Sequence, residues 1–327
     1  MIEIQRCGDK EQWDDYILEH GGHPLQLWGW GQVKSAHGWK AERFFALEDD
    51  EVIGAAQVLI RPVPFPFRSF AYIPRGPIAE TSLVEPFLKE VASVVKREYS
   101  SIMLSFEISS REVKNFMLAQ RSRTHILSPE TILLDLRKSE SDLLAAMAKK
   151  TRQYIRKSAA EGIELKRVRT KQDFDDCLAM YEQTAARAHF AIHHRQYYVD
   201  IWQQMGDHSP VFAAYLDGRP IAFLWMAMSA DIAYELYGGM NEDGQRLRAN
   251  YALKWYVIRK AKEWGLQEYD FGGLVAGGVS VFKQGWTDEA TVFPGTFDIP
   301  LSPLYPLWKS MLPQAKKLVQ KIASFRS

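Results

Sequence analysis

The chain has 327 residues, 46% of them hydrophobic and 25% charged, which gives room for two domains of ordinary size and argues against a disordered protein. With 41 Lys and Arg against 40 Asp and Glu the net charge is +1, so any nucleic-acid contact must come from a local basic patch. Cys7 and Cys177 alone build no disulfide framework and no zinc site, the N-terminus carries no secretory signal, and the longest strongly apolar run, Ile221 to Met228, is too short to span a bilayer. A cytoplasmic protein is expected.

In chain order, a helix is predicted over Lys10 to His20. It leads into Gln26-Leu-Trp28-Gly-Trp30-Gly-Gln-Val-Lys34, where two tryptophans and a lysine form either a core corner or a groove wall carrying an ammonium. Phe45 to Ala56, FALEDDEVIGAA, reads as strand, acidic turn at Asp49-Asp50, and strand. A helix over Leu83 to Glu98 and a strand over Ser101 to Phe106 follow. The polar stretch from Gln120 places a boundary near Ser128-Pro129, and a strand over Thr131 to Leu136 opens the second half.

The helix predicted over Leu143 to Ala160 is the strongest charge feature. Lys149, Arg152 and Arg156 stand at i, i+3 and i+7 on one face, Lys150 and Lys157 lie beside them, and no acid falls between Asp142 and Glu161. A field of that kind suits phosphates, although a lone charge run is usually a solvated face. The earlier order then repeats: a helix over Lys171 to Ala188, a hairpin over Ala213 to Phe223 turning at Asp217-Gly218, a helix over Ala249 to Trp264 and a strand over Glu268 to Phe271. The repeat reads as a duplicated α/β unit.

No G-x-S-x-G, Walker, H-E-x-x-H or G-x-G-x-x-G motif is present. Two strand ends are rich in glycine, Tyr234-Glu-Leu-Tyr237-Gly238-Gly239 and Asp270-Phe-Gly272-Gly273, and Phe282-Lys283 follows ten residues after the second. Ligands in open α/β sheets bind beyond the carboxyl ends of strands, so these residues mark a site. The chain closes with a helix predicted over Pro313 to Phe325, apolar along one stripe and ringed by lysines. Packing on the first domain is its plain reading and membrane-surface contact the weaker one.

Six motifs, in this order, resemble the Fem family, which builds the interpeptide bridges of peptidoglycan. They are Trp30-x-x-x-Lys34, Tyr72-Ile-Pro-Arg75-Gly76-Pro77, Thr131 to Leu136 followed by Lys150-Thr-Arg152-Gln-Tyr154-Ile-Arg156-Lys157, Ala249-Asn250-Tyr251, Tyr269 to Gly273, and Phe282-Lys283. The resemblance spans nearly the whole chain. It implies an α/β (α+β) protein of two tandem GNAT-like acyltransferase domains without a coiled-coil arm: domain one over 1–130, completed by 297–327, and domain two over 131–296. It implies an aminoacyl-tRNA donor of Gly, Ala or Ser, and as acceptor the stem-peptide amine of UDP-MurNAc-pentapeptide or lipid II. No cofactor is expected, and a monomer at the inner face of the membrane is.

Carried over by motif, Trp30, Lys34, Arg195 and Tyr198 would hold the acceptor and its phosphates, with Tyr234 or Tyr237 joining them. Phe282 would line the site, and the Lys283 ammonium would stabilise the oxyanion. Lys149, Arg152 and Arg156 would take the tRNA phosphates. Glu107-Ile108 stands where the family shows Asp-Pro, and Glu107 would be a carboxylate near the acceptor amine. Trp286-Thr287 replaces the usual aromatic-Gly pair.

Two rival readings remain. One is a GNAT-like acyl-CoA N-acyltransferase acting on a polysaccharide or envelope amine; against it, Gly244 to Asn250 lacks the paired glycines that cradle a pyrophosphate. The other is a non-catalytic module binding precursor or tRNA, against which stand Lys283 and a complete second domain.

Overall fold

The structure is a computed structural model that describes residues 2–111, 115–188, 190–274, 282–287 and 289–311, so the predicted helix over Pro313 to Phe325 lies outside the described residues. Its contacts divide the chain into two compact units. The first runs to Ile17, resumes over Leu25–Ile126 and is completed by the segment from Pro294; the second takes Leu18–Pro24 and Leu127–Phe293.

The elements of the first unit are β1 (Glu3–Arg6), α1 (Lys10–Glu19), α2 (Trp28–Ala36), β2 (Lys40–Glu48), β3 (Glu51–Pro62), β4 (Ser69–Ile73), β5 (Ile78–Ala79), α3 (Val84–Tyr99), β6 (Ser101–Phe106) and β7 (Gln120–Arg121). The second holds β8 (Glu130–Thr131), β9 (Leu133–Asp135), α4 (Glu140–Ala146), α5 (Lys149–Ala159), β10 (Glu164–Arg167), α6 (Lys171–Ala188), α7 (Arg195–Met205), β11 (Val211–Leu216), β12 (Arg219–Met228), β13 (Ile232–Met240), α8 (Glu242–Arg246), α9 (Ala249–Glu263), β14 (Glu268–Asp270) and β15 (Thr291–Val292). β16 (Phe297–Pro300) returns to the first unit.

Both sheets are antiparallel except for one parallel pair. The first runs β1-β2-β3-β4-β6-β16-β7 with β4 and β6 parallel; the second runs β10-β11-β12-β13-β14-β9 with β13 and β14 parallel. Strand by strand they correspond, β2–β3 to β11–β12, β4 to β13 and β6 to β14, with α3 and α9 as the matching crossovers. In each the neighbour beyond the parallel pair is not consecutive with it in the chain: β16 comes from the far end, β9 from the start of the second unit. Both hairpins turn on residues at positive φ, Asp49 (50°) and Asp50 (64°) in one, Asp217 (49°) and Gly218 (77°) in the other. That backbone twist matches the right-handed twist of the flanking strands. α3 buries Phe87, Leu88, Val91 and Val95 at helical spacing against Phe44, Val58 and Leu104 of its sheet.

Two expected elements are broken. The single strand over Thr131 to Leu136 is two, because Thr131 pairs with Thr291 whereas Leu133 pairs with Asp270 in the other sheet. The helix over Leu143 to Ala160 is also two. Met147 and Ala148 are extended (ψ 149° and 142°), Met147 is buried in the core, and the Ala148 N–H donates to the Gly285 carbonyl at 3.0 Å.

Candidate functional site

β13 and β14 are hydrogen-bonded only as far as Tyr234 and Asp270. β14 then ends, while β13 continues against β12 with a bulge between Trp225 and Met226. The strands part, and from Glu235 onward one edge of β13 faces a cleft of 390 Å³. Its walls include Glu235, Tyr237, Gly238, Gly272, Phe282 and Lys283. Tyr237 therefore lines the cleft. Tyr234, still within the paired segment, instead packs edge-on against His23. Gly272 is required at its position: its φ is +68°, and a Cβ there would lie 2.3 Å from the Glu235 carbonyl oxygen.

Lys283 sits in a helical turn whose anchor is Trp286, fully buried against Phe271, Phe282 and Tyr251. Its Nζ donates to the carbonyls of Phe271 (2.5 Å), Gly272 (2.9 Å) and Gly273 (2.8 Å). An ammonium has three donors, so all of them are committed to the turn that ends β14. The ammonium expected to stabilise an oxyanion is thus held in the cleft wall by three backbone carbonyls. Burial lowers its pKa, and Glu235 and Asp270 pull it back up.

A buried ion pair at the cleft escaped the sequence reading. Lys254 donates to Glu235 Oε1 and stands 4.2 Å from the centre of the Phe271 ring and 5.1 Å from that of Phe282. Burial pushes its pKa down to about 8, with the Glu235 carboxylate opposing. The available signal was its place on the apolar stripe of α9, with Ile258 and Ala261 at i+4 and i+7.

Tyr237 completes an aromatic cluster with Tyr181, Tyr198 and Trp225, ring centres 5.1 to 5.6 Å away. Burial holds its hydroxyl protonated by raising its pKa well above the ordinary value. Tyr198 is buried, and its hydroxyl accepts from the His193 N–H. Arg195 is ion-paired with Asp175 (2.9 Å) and Glu182 (3.1 Å), so two carboxylates already neutralise the guanidinium expected to hold acceptor phosphates.

On α5, Lys149, Lys150, Arg156 and Lys157 are exposed. Arg152 is not part of that set. Its Nη1 donates to the carbonyls of Leu144, Ala145 and Met147, closing the end of α4. Its Nη1 is therefore occupied by the chain's own backbone, unlike the exposed cations beside it.

In the first unit, Lys34 lies one helical turn after Trp30, its Nζ 4.7 Å from the centre of the indole. Burial and the nearby Arg61 lower its pKa to about 8. Glu107 is buried at the end of β6, accepting from the Tyr72 hydroxyl and, at 2.6 Å, from the Thr296 hydroxyl. Both oxygens thus accept hydrogen bonds from buried hydroxyls of the unit's interior. Glu107→Ala should cost at least about 1–3 kcal/mol, the penalty of stranding a buried hydroxyl. Activity per folded molecule should stay within a few-fold of wild type; denaturant melts and a turnover assay on the same samples separate the two effects.

The FemAB family model matches residues 9–107 and a model of an acetyltransferase (GNAT) domain matches residues 145–284. Lipid II:glycine glycyltransferase of Staphylococcus haemolyticus is 21% identical, the match covering 96% of this chain and 97% of that protein. The alignment runs to 410 positions against a chain of 327, so that relative carries segments with no counterpart here. The protein of the same name from Staphylococcus aureus (strain MSSA476) is 22% identical over the same shares. The solved structure described as FemX superposes with a TM-score of 0.82 at 18% identity, over 94% of this chain and 100% of that one. The fold defines an acyltransferase of the GNAT class, with its unit built twice in one chain. Within that class the chain is similar to Fem proteins, through the FemAB match over residues 9–107 and the relatives named above.

Proposed function

We propose that this protein transfers an amino acid from aminoacyl-tRNA to the stem-peptide amine of a peptidoglycan precursor, with the lipid-linked precursor as acceptor. The observation that carries this reading is the cleft where β13 and β14 part, with Tyr237 and Lys283 in its walls, in a chain matched end to end by proteins named lipid II:glycine glycyltransferase.

In the reaction the acceptor amine attacks the ester carbonyl carbon. The amide C–N bond forms, the ester C–O bond breaks, and the proton lost by the amine ends on the released ribose hydroxyl, relayed by its vicinal hydroxyl. Tyr237, whose hydroxyl donates to Tyr197, fixes the wall of the cleft. Lys283, its own donors occupied, contributes a fixed positive charge in a low-dielectric wall, which favours the developing oxyanion without reorganisation. The exposed cations of α5 receive tRNA phosphates. That helix is seated beside Lys283, since a Cβ on Gly285 would meet the Thr151 hydroxyl at 2.6 Å.

The test is purified protein with a panel of radiolabelled aminoacyl-tRNAs and either UDP-MurNAc-pentapeptide or lipid II. Label on lipid II supports the reading in full, and label on the soluble precursor alone moves the acceptor. Turnover of acetyl-CoA with an amine, and none of aminoacyl-tRNA, overturns it. Lys34 adds a pH signature. If its ammonium binds the acceptor diphosphate, kcat/KM for acceptor should fall as pH rises through about 8, where Lys34 loses its proton. Lys34→Arg should hold kcat/KM level there, because a guanidinium stays charged.

A further inference from the structure

The cleft contains one feature that acyl transfer in general does not need. Among the described residues lining it, Glu235 alone carries a carboxylate. It stands one residue past the last β13–β14 pair, where the strand edge turns to face the cleft. Lys254 lies behind it, 5% exposed, and holds Oε1. The other cleft ammonium, Lys283, is tied to three carbonyls and makes no salt bridge with Glu235. Lys254 and the Tyr269 hydroxyl hold the Glu235 carboxylate in place, and together they occupy only part of its roughly four acceptor positions. The remaining walls around it are largely apolar, Leu236, Leu253, Phe271 and Phe282 among them.

We propose that Glu235 receives the α-ammonium of the donor's aminoacyl group, and so makes the site selective for aminoacyl esters over plain acyl or hydroxyacyl esters. The inference rests on the aminoacyl-tRNA reading above and deepens it. The α-ammonium is one carbon from the ester carbonyl, so a carboxylate that holds it also places the carbonyl beside Lys283 and Tyr237. Charge-assisted hydrogen bonds are the strong, directional ones, and a cleft that excludes water strengthens them. The same carboxylate repels the phosphates of an acyl-CoA, which fits the absence of paired glycines over Gly244 to Asn250. Lys254 is a positioning residue here: it touches Glu235 and is not among the residues lining the cleft.

The test compares two donors on the same tRNA: the aminoacyl ester the enzyme uses best, and the α-hydroxyacyl ester with the same side chain. Wild-type enzyme should favour the aminoacyl ester by roughly ten- to hundredfold in kcat/KM, the range a charged hydrogen bond provides. Glu235→Gln strands the buried Lys254 ammonium and can fail to fold, so the deciding variant is Glu235→Gln with Lys254→Met, which leaves no unpaired buried charge. In that variant the preference should collapse toward unity through loss of the aminoacyl rate, with the hydroxyacyl rate retained. The change in ratio between the two enzymes cancels the intrinsic reactivities of the esters. A variant that keeps the wild-type preference, or loses both rates equally, overturns the proposal; equal loss would make Glu235 a general base or a scaffold residue. Wild-type enzyme inactive with every aminoacyl-tRNA overturns the underlying reading instead, and does so before any variant is made.

Discussion

Lys283→Met should both slow transfer by orders of magnitude and destabilise the second unit. The side chain satisfies the carbonyls of Phe271, Gly272 and Gly273, the turn on which β14 ends and the cleft wall begins. Methionine fills the same volume and donates nothing. Each stranded carbonyl costs roughly 1–3 kcal/mol unless water reaches it, and partial rehydration of the turn should hold the total to about 2–4 kcal/mol. Loss of the fixed charge should lower transfer by roughly 10²–10³-fold, the scale of removing one preorganised electrostatic group. Urea unfolding and single-turnover transfer on the same preparation read both quantities. A variant of unchanged stability without activity would instead give Lys283 a direct bond to the oxyanion, with the carbonyl contacts secondary.

The second large effect belongs to the ion pair behind the cleft. Glu235→Ala leaves the Lys254 ammonium buried against Phe271 and Phe282 with no counter-charge. Breaking a buried pair on one side costs roughly 3–5 kcal/mol, whereas replacing both partners by apolar groups is often near neutral. The effect carries a pH signature. In the intact protein the folded pKa of Lys254, about 8, lies below its unfolded value of roughly 10.4, so between the two the unfolded chain binds more protons and stability rises with pH. Lys34, also lowered to about 8, adds to the same rise. Without Glu235 the attraction that raises the Lys254 pKa is gone, and the rise should begin at lower pH. The deficit of the variant should therefore shrink as pH rises from roughly 6 to about 8 and level off above that, where both proteins gain at the same rate. A deficit that stays constant across that range would mean Lys254 is not charged when buried.

How much of this was legible beforehand divides along the reach of the interactions. The hairpins were readable because Asp49-Asp50 and Asp217-Gly218 carry their own turn chemistry, and α3 and α9 because their apolar residues recur at helical spacing. The duplication followed from seeing the same local order twice. The strand ends near Lys283 were also legible, since glycines after an apolar strand mark close backbone approach.

What the sequence could not determine depended on partners far along the chain. The break at Met147 and Ala148 needs the Gly285 carbonyl and the Arg152 cap, and the split after Thr131 needs two strands from different places. The bulge between Trp225 and Met226 and the early end of β14 turn Tyr237, not Tyr234, toward the cleft. Charged side chains were the hardest to read. Lys254, Lys283, Arg152, Arg195 and Glu107 look alike in sequence, as groups free to meet a ligand. Their roles follow from desolvation and from which carbonyl, hydroxyl or carboxylate the fold brings within 3 Å or so, and those distances exist only once the sheets have formed.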